Sequence, residues 1–156
     1  MRTATIPRPG AVDHGRVAAV AAASPPLAAR HFFAKLAFET DPSDLAADLA
    51  AGVGGLVVVD TRSPEAYEAA HLPGAINLPH ATIGEDLLPR LDPDALHVTY
   101  CWGPACNASI RGAANLAALG IRVKELIGGL TAWQAEGFPV EGTQAGSAVA
   151  EVACAC

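Results

Sequence analysis

At 156 residues, 51% of them apolar, the chain is long enough for one globular domain with a substantial core and short for two. Its formal net charge of −6 and its lack of any run of Lys and Arg disfavour nucleic acid and anionic membranes as partners, and leave a small molecule or another protein. No apolar run approaches the roughly eighteen residues a bilayer span needs, and four cysteines in two late pairs, Cys101 with Cys106 and Cys154 with Cys156, staple no distant segments. The chain is therefore expected in the cytoplasm, with free or reactive thiols, no metal and no cofactor.

Residues 1–26 mix Pro, Gly, Ala and Arg without a sustained period and read as a flexible lead-in. Arg2, Arg8 and Arg16 ahead of an Ala-rich stretch faintly resemble an export leader, but Asp13 and His14 interrupt it. The spacing Leu27, His31, Ala34, Phe38 predicts a helix that lays an apolar stripe on the body. Asp41-Pro42-Ser43-Asp44 combines a side-chain cap, a first-turn proline and an early acid, and so opens a second helix that Gly52 and Gly54-Gly55 end.

Leu56-Val57-Val58-Val59 is a continuous β-branched run bounded by glycines and Asp60, as in a parallel strand covered on both faces. A helical segment from Pro64 to Ala70, a Pro73-Gly74 turn and a strand at Ala75 to Leu78 come next, and then a helix around Glu85 to Leu91. Leu96 to Tyr100 is the third strand and runs straight into Cys101. Ile110 to Leu119 reads as a helix ended by Gly120, Val123 to Ile127 as a strand, and Leu130 to Glu136 as a last helix ended by Gly137. Alternating strands and helices predict a three-layer α/β/α sandwich around a mostly parallel sheet of about five strands. One domain should span 27–142, with a flexible tail at 143–156.

In an open α/β sheet, ligands sit outside the carboxyl ends of the strands, and the loop Cys101-Trp102-Gly103-Pro104-Ala105-Cys106-Asn107 falls there. Gly103 lets the backbone turn, Pro104 stiffens it, and the start of the next helix offers unpaired N–H groups that favour an anion. A thiol of pKa about 8.5 is only a few per cent ionised at pH 7, whereas one lowered to about 6.5 is mostly thiolate. Cys101 then needs no separate base, and no histidine neighbours it in sequence, although His71, His80 or His97 could approach in space.

Three signatures stand in order along the chain. Val59-Asp60-Thr61-Arg62-Ser63-Pro64-Glu65-Ala66-Tyr67 continues to His71-Leu72-Pro73-Gly74-Ala75-Ile76-Asn77-Leu78-Pro79; Cys101 comes directly after a strand; Gly128-Gly129-Leu130-Thr131-Ala132-Trp133 leads to Gly137-Phe138-Pro139-Val140. Over residues 41–142 the chain resembles the rhodanese-like sulfurtransferase family. The resemblance implies that Cys101 takes a sulfane sulfur from a donor such as thiosulfate or a small persulfide, and passes it to a thiol, another nucleophile or a protein acceptor. It makes residues 102–107 the substrate cradle. The loop departs from the family pattern in being longer and in carrying Cys106 and Asn107 where a basic residue is expected, which points away from thiosulfate and toward a bulkier persulfide.

Other residues have plainer readings beside functional ones. Asp60 and Arg62, with Glu65 or Glu68, can line the site but read rather as a structural ion pair at a strand end. His71 reads as a hydrogen-bonded turn residue and Trp133 as core, while Trp102 is equally a packing residue or a pocket wall. Cys106 is either a thiol that attacks a Cys101 persulfide or, as the inward-facing amides of such loops favour, a small side chain holding the loop. Cys154 and Cys156, with no His beside them, make weak metal ligands. Two rival functions remain: a phosphatase or arsenate-reductase-like cysteine enzyme, which would want Arg where Asn107 stands, and a non-catalytic binding module.

Overall fold

The computed structural model describes residues 15–146, so Cys154, Cys156 and most of the expected lead-in and tail lie outside the described residues. Helix α1 spans Pro25–Phe38, matching the expected helix, but none of its residues is buried. Leu27 and Phe38 of the expected stripe are exposed, as are Phe32, Phe33 and Leu36, which at 3.6 residues per turn lie off that stripe. The chain divides into two units within α1, and the second, which begins at Lys35, holds the sheet.

A two-residue strand, β1 (Glu39–Thr40), leads into α2 (Pro42–Ala51). The capping signals work as read: Asp41 accepts the N–H of Asp44 at 2.8 Å, Pro42 occupies the first turn, and Gly52 closes the helix at φ 65°. Strand β2 (Leu56–Asp60) comes next, then α3 (Pro64–Ala69), capped by Ser63, and the short β3 (Ile76–Asn77). The helix expected near Glu85 is a 3-10 helix, Glu85–Arg90, because Pro89 lacks the N–H an α-helical ladder needs. Strand β4 (Leu96–Tyr100), α4 (Ala108–Ala118), β5 (Arg122–Leu126) and α5 (Gly129–Ala135) complete the order.

The five strands form one parallel sheet in the order β1-β5-β4-β2-β3, covered on both faces. Side chains alternate across it. Val58, Val98, Tyr100 and Leu126 face α2 and α5, where they join Leu45, Leu130 and Trp133 in one core layer. Val59 faces the other way, into Leu78, Leu87, Leu116 and Ile121 beneath α4. This is the expected three-layer sandwich, and burying side chains of this size contributes about 1.5–3 kcal/mol each.

The segment after Val140 begins attached. Glu141 pairs its backbone with His71 in an antiparallel bridge, and Thr143 and Gln144 donate their N–H groups to Glu68 and Ala69 at 2.9 and 2.8 Å. Thr143 and Gln144 thus dock on the end of α3, where a flexible tail was expected, an attachment that short polar side chains had not signalled. Among the described residues, no helix is long and apolar enough to cross a membrane.

Candidate active site

Strand order locates the site. The chain leaves β2 toward β3 on one side and leaves β4 toward β5 on the other, so the crevice between the carboxyl ends of β2 and β4 is the point where the winding direction reverses. Thr61 follows β2 and Cys101 follows β4 across that crevice. Thr61 ties the two ends together by donating its N–H (3.1 Å) and hydroxyl (2.7 Å) to the carbonyl of Tyr100.

The loop after β4 is fixed by the start of α5. Leu130 donates its N–H to the Cys101 carbonyl at 2.9 Å, and Thr131 donates both its N–H and its hydroxyl to the Trp102 carbonyl at 2.8 Å. So close an approach requires Gly129: it has φ 55°, and a Cβ there would collide with the Cys101 carbonyl oxygen. Gly103 to Cys106 then forms a tight turn, with the Cys106 N–H donated to the Gly103 carbonyl at 3.0 Å and Pro104 at the position that favours its fixed φ.

That turn carries Cys106 back onto Cys101, and the two are joined as a disulfide with their Cα atoms 6.4 Å apart. Both are buried, with 1% and 7% exposure. The expectation of free thiols is therefore corrected for this pair, and the two readings of Cys106 merge: it is buried in the loop and it is in covalent reach of Cys101. Asn107 occupies the position before α4 without a side-chain capping bond, and Pro104, Ala105 and Asn107 are exposed along the rim.

Beneath the loop lies a charged corner. Arg62 and Asp60 are an ion pair with side-chain exposures of 1% and 0%: Asp60 accepts from the Arg62 backbone N–H and Nε at 2.9 Å and from Nη2 at 2.6 Å. Asp60 also accepts the Tyr100 hydroxyl at 2.6 Å, and that hydroxyl accepts the Leu72 N–H at 3.1 Å. Burial, followed by the negative charge of Asp60, pushes the Tyr100 phenol far above its ordinary range, so it serves as a neutral donor. The Arg62 guanidinium lies under Trp102, 4.2 Å from the ring centroid, while its Nη1 makes no hydrogen bond among the described residues. Trp102 is thus held from below by a cation and from behind by Thr131.

The remaining expected participants fall elsewhere. Glu65 and Glu68 are exposed on α3 and take no part in the ion pair. His71 stacks on Tyr67 and directs its ring nitrogens to the Tyr67 carbonyl (2.7 Å) and Glu141 (3.5 Å), as a turn residue should. His97 is fully buried four residues up β4 from Cys101, roughly 13 Å away at strand rise, which rules it out as a base for Cys101. Its burial pushes the imidazole below its usual pKa, opposed by the nearby backbones of Ala95 and Arg122 and the charge of Asp92. Sequence reasoning missed Thr61, Thr131 and Gly129 as loop supports. Only the double glycine before α5 could have flagged a close backbone approach.

The rhodanese-like domain model matches residues 41–136 of the chain. The chain belongs to the rhodanese-like domain family. It is 35% identical over 97 residues to the thiosulfate sulfurtransferase GlpE of Pseudomonas entomophila, covering 62% of this chain and 85% of that one. It is also 38% identical over 88 residues to an HTH-type transcriptional regulator of Mycobacterium tuberculosis, covering 56% of this chain but only 38% of the regulator. The crystal structure of a Bacillus halodurans protein shares 48% identity and superposes with a TM-score of 0.78 over 81% of this chain and 92% of that one. Rhodanese-like relatives thus include a whole small enzyme and one part of a larger regulator.

Proposed function

We propose that the chain is a sulfurtransferase that carries sulfane sulfur as a persulfide on Cys101. The observation that carries this reading is the position of Cys101, at the winding switch of the sheet and at the mouth of α4. The likeness to GlpE supports it. With the Cys101–Cys106 bond reduced, the Cys101 thiolate attacks the outer sulfur of the donor, the donor's remaining group leaves with the bonding electrons, and the persulfide stays on the enzyme. The unpaired N–H groups at the start of α4 favour the anions at each stage. Arg62 sits beneath Trp102, bound to Asp60, so the loop offers the donor no guanidinium fork of the kind a phosphoryl group would want at position 107.

The test is a single turnover of the reduced chain with thiosulfate and, in parallel, with glutathione persulfide. One equivalent of sulfite or glutathione should be released per chain, and Cys101→Ser should lower the rate by roughly three orders of magnitude or more while remaining folded. A folded Cys101→Ser variant that releases either product at the wild-type rate overturns the proposal. Turnover of an aryl phosphate that disappears in Cys101→Ser would favour the phosphatase reading instead.

A further inference from the structure

We propose that Cys106 is the resolving thiol of the Cys101 persulfide, so that the transferred sulfur leaves as hydrosulfide and the enzyme's second substrate is a dithiol reductant. This role rests on the sulfurtransferase reading and supplies the step after persulfide formation. Its observation is the Cys101–Cys106 disulfide itself, closed within the loop between β4 and α4.

Three features favour the internal reaction over capture by an outside thiol. The Gly103-to-Cys106 turn, closed by its own backbone bond, returns position 106 to position 101, whose carbonyl is held by α5. Cα atoms 6.4 Å apart lie within the span a disulfide bridges, so the backbone already stands where the product needs it. In the disulfide-bonded loop both cysteines are buried, at 1% and 7% exposure, and they stand five residues apart in one turn, so Cys106 meets a persulfide on Cys101 at high effective concentration.

The chemistry balances. In the first step Cys101 receives the sulfane sulfur and the donor's leaving group departs. In the second, the Cys106 thiolate attacks the Cys101 sulfur; a bond forms between the two cysteine sulfurs, the Cys101–sulfane bond breaks, and hydrosulfide leaves with the electron pair. The sulfane sulfur is thereby reduced by two electrons and the cysteine pair oxidised by two. An external dithiol then reduces the pair by ordinary exchange, becoming a disulfide itself and returning both protons lost in the cycle. For thiosulfate the sum is thiosulfate plus dithiol giving sulfite, hydrogen sulfide and the dithiol's disulfide.

The experiment compares the reduced, desalted wild type with Cys106→Ala, and with Cys106→Ser should the alanine variant not fold, after adding thiosulfate or glutathione persulfide and no reductant. The wild type should release hydrosulfide up to one equivalent per chain and stop, leaving a Cys101–Cys106 disulfide in the peptide map; dithiothreitol should restart release. The variant should hold its sulfur on Cys101, with hydrosulfide release slowed about tenfold or more. The inference is overturned if the variant's persulfide decays as fast as the wild type's, or if the wild type releases sulfite without hydrosulfide or disulfide; both results leave Cys101 as a sulfur carrier. Sulfur appearing on Cys101 in neither protein would overturn the sulfurtransferase reading, and this inference with it.

Discussion

The ends of β2 and β4 meet across one crevice and are built on opposite principles. At the end of β2 the side chains carry the structure: Asp60 and Arg62 form a buried ion pair that the hydroxyl of Tyr100, the last residue of β4, joins from across the crevice, with Asn77 donating to the carbonyls of Asp60 and Arg62. At the end of β4 the backbone carries it: carbonyls of Cys101 and Trp102 are gripped by N–H groups of α5, leaving the two thiols for each other. On the proposed function this corner is the structural half of the site, its carboxylate and phenol bound to each other while Arg62 Nη1 makes no hydrogen bond among the described residues. A loop held by its backbone keeps its side chains for reaction.

The sharpest way to break this contrast is Asp60→Ala. It leaves the Arg62 charge buried without its partner, and should cost about 3–5 kcal/mol by urea denaturation, while the folded fraction retains sulfur transfer within a fewfold. A small stability loss would show that the corner is not the structural half of the pair. Gly129→Ala acts on the other half. The left-handed backbone and the collision with the Cys101 carbonyl should cost about 1–2 kcal/mol or more, and activity should fall further than stability explains because the loop itself is displaced. Unchanged kinetics in that variant would mean that α5 does not position Cys101.

Removing residues 143–156 should cost about 1–2 kcal/mol, since Thr143 and Gln144 each contribute a backbone hydrogen bond to α3, and should leave first-turnover kinetics unchanged. A loss of turnover would bring the tail thiols into the working unit. The smallest effect concerns His97, whose folded pKa lies below its unfolded value of about 6.5. Between those two values the unfolded chain binds more protons, so stability should be full above about pH 6.5 and decline as pH falls toward the folded pKa. His97→Leu should flatten that slope in urea titrations at successive pH values; an unaltered slope would assign it to other groups.

Much of the fold was legible where local chemistry decides local structure. Asp41 with Pro42, Gly52, Gly120 and Gly137 marked helix ends, and the β-branched run before Asp60 marked a doubly covered strand. The two-residue β1, with Glu39 and Thr40, carries no periodicity and exists because β5 lies beside it. The helix of α1 was legible, but its expected stripe rested on four residues, one a histidine and one an alanine, while Phe32, Phe33 and Leu36 stand exposed off that face. In the site, Cys101 was readable from the strand and loop around it. The supports from Thr61 and Thr131 were not, because each comes from a segment distant in sequence and acts on a backbone carbonyl, which leaves no mark on residue type, whereas Gly129 left its mark in the double glycine without telling which backbone approaches it. The Cys101–Cys106 bond depends on the curvature of one turn, which composition hints at through Gly103 and Pro104 without determining it.

The central claim, that Cys101 is the first residue to hold the transferred sulfur, is tested most directly by rapid-quench peptide mapping. The reduced chain is mixed with thiosulfate or glutathione persulfide and alkylated within the first turnover. One added sulfur should be found on the Cys101 peptide before any hydrosulfide is released, and none on Cys106, Cys154 or Cys156. Sulfur arriving first on another cysteine, or on none with either donor in a folded chain, would contradict it.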